Sequence, residues 1–212
     1  MSRTTLLVPS GPEAAAVHRA QPAARVLEIA AGAAAAAALP EFEPDETVIA
    51  LGLCGALWRM KAGDVAIYGR VVDATSSFDL DPALVDELSA ALPRAKVVNA
   101  CTTRRIVTAV DARTVLAQRF NADVVDMEGT HLAAALVARS ARFAMVRVVS
   151  DDASRNLPPI EDAIDSDGRL QPWPIAVAFA RAPLAALAFV RNARAAIEVL
   201  SAVARAVSGV PA

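Results

Sequence analysis

The sequence predicts an α/β protein, a three-layer α/β/α sandwich around a mixed, mainly parallel central sheet. Three observations carry this expectation. Apolar, strand-like runs alternate with helical stretches of roughly ten to fifteen residues, the pattern of a parallel sheet covered on both faces. The chain is 55% hydrophobic but only 4% aromatic, and alanine supplies much of the apolar content. Such a composition suits helices packed closely on a sheet better than it suits an antiparallel sandwich. Finally, successive strands end in glycines or carboxylates, as in VVDMEGT (124–130) and VVSDDAS (148–154). In such sheets, ligands bind outside the carboxyl ends of the strands.

The elements follow in order. Leu6 to Val8 reads as a short strand, and Ser10-Gly11-Pro12-Glu13 as a turn that starts a helix. Pro12 suits a first helical turn, and Glu13 complements the positive end of the helix dipole. Val26 to Ala30 is a second strand, and Ala31 to Leu39 a small alanine-rich helix stopped by Pro40. TVIALGLCGAL (47–57) is a buried strand running into a glycine turn; GDVAIYGRVVDAT (63–75) alternates enough to be one long strand or two short ones. Pro82 to Leu92 is helical, capped by Asp81 and ended by Pro93. Strand Lys96 to Ala100, helix Ala112 to Phe120, strand 122–127, helix Gly129 to Ser140 and strand 142–150 complete the alternation. A loop rich in proline and acidic residues then leads to a helical stretch from Ile175 to about Val207, broken near Pro183.

At 212 residues the chain is expected to form one domain, 1–212, with a substantial core. A net charge of −2 with interspersed signs argues against a nucleic-acid binder. Cys54 and Cys101 make no disulfide framework, so a reducing cytoplasm is the expected location. The N-terminus lacks a secretory pattern because Pro9 interrupts a short apolar core. The longest uncharged runs fall well below the roughly 18 residues of a spanning helix. Positive mean hydropathy leaves room for peripheral membrane contact.

Three strand ends hold the candidate chemistry. At Gly52-Leu53-Cys54-Gly55 small residues let backbone N–H groups approach a ligand; a tight turn needing glycine is the plainer reading. The turn has neither Walker nor dinucleotide-binding spacing. At Met127-Glu128 the plainer reading is a core methionine and a dipole-complementing glutamate. At Ser150-Asp151 it is a turn cap.

Taken together these segments carry a resemblance. VVDMEGTHLAAALVARSARFAMVRVVSDDAS (124–154) resembles the signature of the purine nucleoside and uridine phosphorylase superfamily, which includes the methylthioadenosine/S-adenosylhomocysteine nucleosidases. GLCGAL (52–57) resembles that family's glycine-rich turn, and LLVPSGPEAA (6–15) its first strand and glutamate-bearing turn. The resemblance covers most of Leu6 to Asn156 and implies cleavage of an N-glycosidic bond. By similarity Asp151 is the acid that protonates purine N7, which requires a carboxyl pKa raised by desolvation, with Asp152 as a second contributor. Glu128 binds the ribose hydroxyls, Met127 packs on the ribose, and Glu13 orients or deprotonates the attacking water. Gly52, Cys54 and Gly55 line the sugar or nucleophile side, and Ser150 belongs to the same substrate-binding edge.

No metal and no resident cofactor are expected, with inorganic phosphate open as a co-substrate. Ala50 and Leu53 stand where phosphorylases of the hexameric branch place an arginine and a serine, which favours water; Arg19, Arg104 and Arg105 are alternative anion ligands. The C-terminal region (150–196), with its Leu157-Pro158-Pro159 segment and Asp167-Gly168-Arg169 turn, resembles the hopanoid-biosynthesis-associated phosphorylases. That implies a nucleoside, lipid-linked in the case of adenosylhopane, as the small-molecule partner. Trp173, Phe179, Leu184, Leu187 and Phe189 are available for lipid contact, or else pack the last helices onto the domain. The inserted Pro12 and a histidine one place late, His131, depart from that group; His131 reads as a packed helix residue and His18 as surface without a partner. Homo-oligomerisation is expected. Against a non-catalytic member that only binds nucleosides or lipids stands the joint presence of Glu13, Glu128 and Asp151.

Overall fold

The structure, a computed structural model, describes residues 3–37, 39–161, 163–165 and 171–207. The Asp167-Gly168-Arg169 turn lies outside the described residues. Eight strands among them form one sheet: β1 (Arg3–Pro9), β2 (Arg25–Ile29), β3 (Glu46–Ala56), β4 (Val65–Val72), β5 (Ser77–Asp79), β6 (Lys96–Thr102), β7 (Val124–Asp126) and β8 (Arg142–Asp151). Six α-helices accompany them: α1 (Pro12–Ala20), α2 (Pro82–Ala91), α3 (Val110–Phe120), α4 (Gly129–Ala138), α5 (Pro172–Arg181) and α6 (Pro183–Val207).

The sheet is mixed and mainly parallel, as the alternating pattern requires. β1 runs parallel to β2 and β3, β3 to β8, and β6 to β4 and β7. Antiparallel pairs join β3 to β7, β4 to β5 and β4 to β8. β3 pairs with β8 along most of its length and with β7 only at Gly55 and Ala56. Since β4 touches both β8 and β6, the pairings β3–β8–β4–β6–β7–β3 close a circuit. The first seven residues of β3 are all buried, and so are the last nine of β8. Both strands therefore read as continuous apolar runs rather than as alternating ones.

α6 packs on α1 and on β8 and β3, while α4 packs against β4, β6 and a short 3-10 turn at Gly32–Ala36. That turn replaces the helix expected from Ala31 to Leu39. Gly32 has a positive φ of 67° and its N–H is drawn to Glu128, so tertiary contact overrides the helix propensity of the alanines. Region 63–75 contains a single strand, and β5 returns along it as a hairpin partner not anticipated from the sequence. Pro12 and Pro82 occupy first helical turns, and the Asp81 carboxylate accepts from the Ala83 N–H at 2.9 Å as a cap. α5 and α6 break at Pro183, where the sequence placed the break. His18 has a partner after all: its Nε2 lies 3.3 Å from Glu28 Oε1 on the surface. His131 is partly buried on α4. No helix among the described residues is long and apolar enough to cross a membrane.

The two halves of α6 differ. Ala196, Leu200, Val203 and Val207 are buried, whereas Leu184 and Leu187 are 83% and 70% exposed. Leu200→Ala is therefore expected to cost about 2–5 kcal/mol in chemical denaturation. Leu184→Ala should stay within about 0.5 kcal/mol of the parent; equal losses at both positions would contradict this packing.

Candidate active site

The carboxyl ends of β1, β3, β7 and β8 meet around a cavity of about 240 Å³. Glu13, Glu128 and Asp151, separated by up to 138 residues in sequence, all line it. Met127, Cys54, Gly55 and Ser150 line it as well. Gly52 does not, and it acts from beneath. A Cβ there would stand 3.1 Å from both Glu13 Oε1 and Arg147 Nη1, so the bare glycine makes room for a carboxylate and a guanidinium. Gly55 does the same for Asp151, whose Oδ2 would lie 3.1 Å from an added Cβ.

Each carboxylate is placed by a local device. Glu13 sits in the first turn of α1, just after β1, and its Oε1 accepts the Leu53 N–H at 2.8 Å. That backbone donor of the glycine turn is thus occupied by the protein itself. Glu128 precedes α4, and its Oε1 accepts the Gly32 N–H at 2.7 Å. Asp151 follows a bulge: Cys54 pairs with Val149 and Gly55 with Asp151, leaving Ser150 as the extra residue. Bulges of this kind re-aim side chains at strand ends. The Ser150 hydroxyl lies 2.6 Å from Asp151 Oδ1 and 3.1 Å from the Cys54 carbonyl. Asp126, the last residue of β7, also lines the cavity; it accepts from Thr102 Oγ1 at 2.8 Å, Tyr68 OH at 3.2 Å and Gly129 N at 3.1 Å.

Three residues at the candidate site, Tyr68, Arg147 and Arg113, escaped the sequence reading, and Asp126, visible there as one of the two carboxylates of VVDMEGT, carried no role. Arg147, at the middle of β8, is fully buried and makes no side-chain hydrogen bond among the described residues. Its Nε lies 3.8 Å from Asp126 Oδ2, and although burial opposes its charge, the neighbouring carboxylates of Asp126, Glu128 and Glu13 hold it protonated. An arginine inside the apolar run FAMVRVV was its one visible signal. Arg113, on α3, places Nη2 at 2.5 Å from Asp151 Oδ2, with both side chains buried. Nothing local in the sequence marks it.

These surroundings set the proton affinities. Burial first, and then the charge of Glu128, push Glu13 up to about 7 against the pull of the Leu53 N–H and Arg147. Burial and the charge of Asp126 raise Glu128, while Arg147 and the Gly32 and Met127 N–H groups oppose them. Asp151 is also raised by burial, with Arg113 and Ser150 pulling down and Asp152 adding a small upward push. A carboxyl near 7 is poised to take a proton from water, and a raised, buried carboxyl to give one. Burial also pushes the Cys54 thiol up, so it faces the cavity as an apolar group.

The roof is formed by the loops before α3 and after β8. Leu157 N–H donates to the Thr108 carbonyl at 2.9 Å, Val110 N–H to Asn156 Oδ1 at 2.9 Å, and the Thr108 hydroxyl to Glu161. Ile106, Val107, Leu157 and Phe189 give this side of the cavity an apolar wall. Of the arginines named as anion ligands, Arg105 reaches the cavity rim; Arg19 and Arg104 do not line it. Ala50 is buried and Leu53 lines the cavity. Phe179 and Phe189 pack edge-to-face 6.3 Å apart, whereas Trp173, Leu184 and Leu187 are exposed. Among the described residues no cluster could hold a metal ion.

The phosphorylase superfamily model matches residues 22–171, and the chain belongs to that superfamily. Solved structures share the fold across nearly the whole chain. The native futalosine hydrolase of Helicobacter pylori strain 26695 aligns with a TM-score of 0.70 at 11% identity, covering 97% of this chain and 96% of its own. The 5′-methylthioadenosine/S-adenosylhomocysteine nucleosidase of Campylobacter jejuni aligns at 0.66 and 11%, covering 97% and 99%. The Streptococcus pneumoniae MTA/SAH nucleosidase, in complex with 8-aminoadenine, aligns at 0.63 and 17%, covering 94% and 99%. No curated protein matches the chain in sequence.

The raised pKa of Glu13 has a measurable sign. Its folded value near 7 lies above the ordinary 4.5, so the native state binds the extra proton between those limits. Its contribution to stability is complete below about pH 4.5 and is lost as pH rises through 7. The melting temperature of Glu13→Gln relative to the parent should climb across that window and level off above it. A flat difference would mean that Glu13 is solvated.

Proposed function

We propose that the protein cleaves the N-glycosidic bond of a purine nucleoside by hydrolysis, releasing adenine from a 5′-substituted adenosine. The observation that carries this reading is the convergence of Glu13, Glu128 and Asp151 on one cavity. The two proton-handling groups lie at different elements, Glu13 on α1 and Asp151 at the end of β8. In the proposed step water attacks ribose C1′ while the C1′–N bond breaks and its electron pair enters the base. Glu13, near 7, takes the proton of the water. Asp151 gives its proton to purine N7, and Glu128 accepts bonds from the ribose hydroxyls, its charge favouring the positive sugar of the transition state. Met127, Cys54, Gly55 and Ser150 complete the substrate wall. The likeness in fold to a nucleosidase bound to 8-aminoadenine supports adenine as the base.

Phosphorolysis is the second reading, and Arg105 at the cavity rim favours it. Hydrolysis is preferred because Leu53 stands where a hydroxyl donor is expected and because the cavity's other arginine, Arg113, is bound to Asp151.

For the 5′ substituent we propose an apolar, lipid-like group, as in adenosylhopane. Supporting this are the resemblance of the C-terminal region to hopanoid-associated phosphorylases and a second hollow of about 640 Å³, which shares Asp151, Leu157 and Phe189 with the first. Its α6 wall is apolar at Leu184, Ala185, Ala188 and Phe189 and polar at Arg191 and Asn192, and its opposite wall is mostly polar. Exposed Trp173, Leu184 and Leu187 suit peripheral membrane contact or a homo-oligomer interface.

Asp151→Asn should lower adenine release from adenosine-type substrates by about 10²–10⁴-fold with the melting curve retained. Unchanged turnover would remove Asp151 from the acid role. Adenine release that requires phosphate and yields a ribose 1-phosphate product would establish phosphorolysis instead.

A further inference from the structure

Asp151 is held on both oxygens. Ser150 Oγ lies 2.6 Å from Oδ1, and Arg113 Nη2 lies 2.5 Å from Oδ2. The rest of the Arg113 guanidinium is also engaged. Nε donates to the Val107 carbonyl at 2.9 Å, and Nη1 to the carbonyls of Asp152 at 2.9 Å and Ala56 at 3.4 Å. One buried side chain from α3 thus bridges the cavity's apolar wall, the end of β3 and the end of β8. Its geometry is a fork whose four contacts leave it no freedom to turn from the carboxyl.

We propose that Arg113 is the positioning residue of Asp151: it aims the carboxyl across the cavity and receives the negative charge left when the proton has gone to the base. The inference rests on the acid role assigned above and adds to it a residue from an element that carries none of the four cavity carboxylates. In the step, the Asp151 O–H bond breaks and an N–H bond forms on the base. The C1′–N electron pair enters the base, and the buried carboxylate remains beside a guanidinium already in contact. Without that cation the anion would stand desolvated, and a buried charge lacking its partner is strongly disfavoured.

Other groups facing Asp151 do not replace Arg113. Cys54 from β3 is a neutral thiol, and Asp152 is a carboxylate whose Oδ1 accepts the Ala62 N–H at 2.8 Å. Arg105, which lines the first cavity with Asp151, and Lys61, Arg155 and Arg191, which border the second hollow with it, are exposed to solvent, where water screens their charge.

The test compares the parent with Arg113→Met and Arg113→Lys, following the Asp151 carboxyl by carbon-13 NMR titration and adenine release by a pH–rate profile. In Arg113→Met the Asp151 titration should move upward by about 1–3 pH units. The alkaline limb of the rate profile should move with it, and kcat should fall about 100-fold. Arg113→Lys keeps the charge but not the fork, so its titration stays near the parent's while kcat still falls. It also serves as the readout should the methionine variant fail to fold. An Asp151 titration unmoved in Arg113→Met, or a kcat unchanged in folded Arg113→Lys, would overturn the proposal. A parent that titrates as expected but releases no adenine would overturn the enzymatic reading while leaving the Arg113–Asp151 coupling intact.

Discussion

The arrangement depends on holding several carboxylates together in a place with little water. Glu13, Glu128, Asp126 and Asp151 lie around one edge of the sheet, three of them buried and Glu13 partly so. Each desolvated anion disfavours the next. Two buried guanidiniums make the cluster tolerable: Arg147 beneath Glu13, Glu128 and Asp126, and Arg113 against Asp151. The compensation is partial, and Glu13, Glu128 and Asp151 keep raised proton affinities. An incompletely balanced charge set is a common mark of sites that move protons.

The division of the cations is as informative as their number. The Arg147 side chain makes no hydrogen bond among the described residues and acts through its field, spread over several anions. Arg113 is anchored by hydrogen bonds to three backbone carbonyls and acts on one carboxyl through an ion pair. The glycines belong to the same scheme. Gly52 and Gly55 are small because charged groups press against them, 3.1 Å from where a Cβ would be, and the Leu53 N–H between them is taken by Glu13. The turn therefore serves the carboxylates first and a ligand second.

Much of this was legible in the amino-acid order. Continuous apolar runs at 47–57 and 142–150 gave two central strands, because a strand buried on both faces tolerates few polar side chains. The motifs VVDME and VVSD brought Glu128, Met127, Ser150 and Asp151 to a shared edge, and all four line the cavity. The alanine-rich stretch after Ala31 misled, since the 3-10 turn there answers to Glu128 rather than to helix propensity. The β5 hairpin partner was invisible because three residues carry too little pattern to be read alone.

Sequence alone determined the strand–helix alternation, the carboxylates at the strand ends and the break at Pro183, since these follow from local hydrophobic period and backbone restriction. Tertiary structure alone decided which charges meet. Arg113 and Asp151 lie 38 positions apart, and Glu13 is 115 positions from Glu128. Coulombic attraction and desolvation depend on distance in space, a quantity that only the closed pairing of β3, β8, β4, β6 and β7 and the helices packed upon it can set.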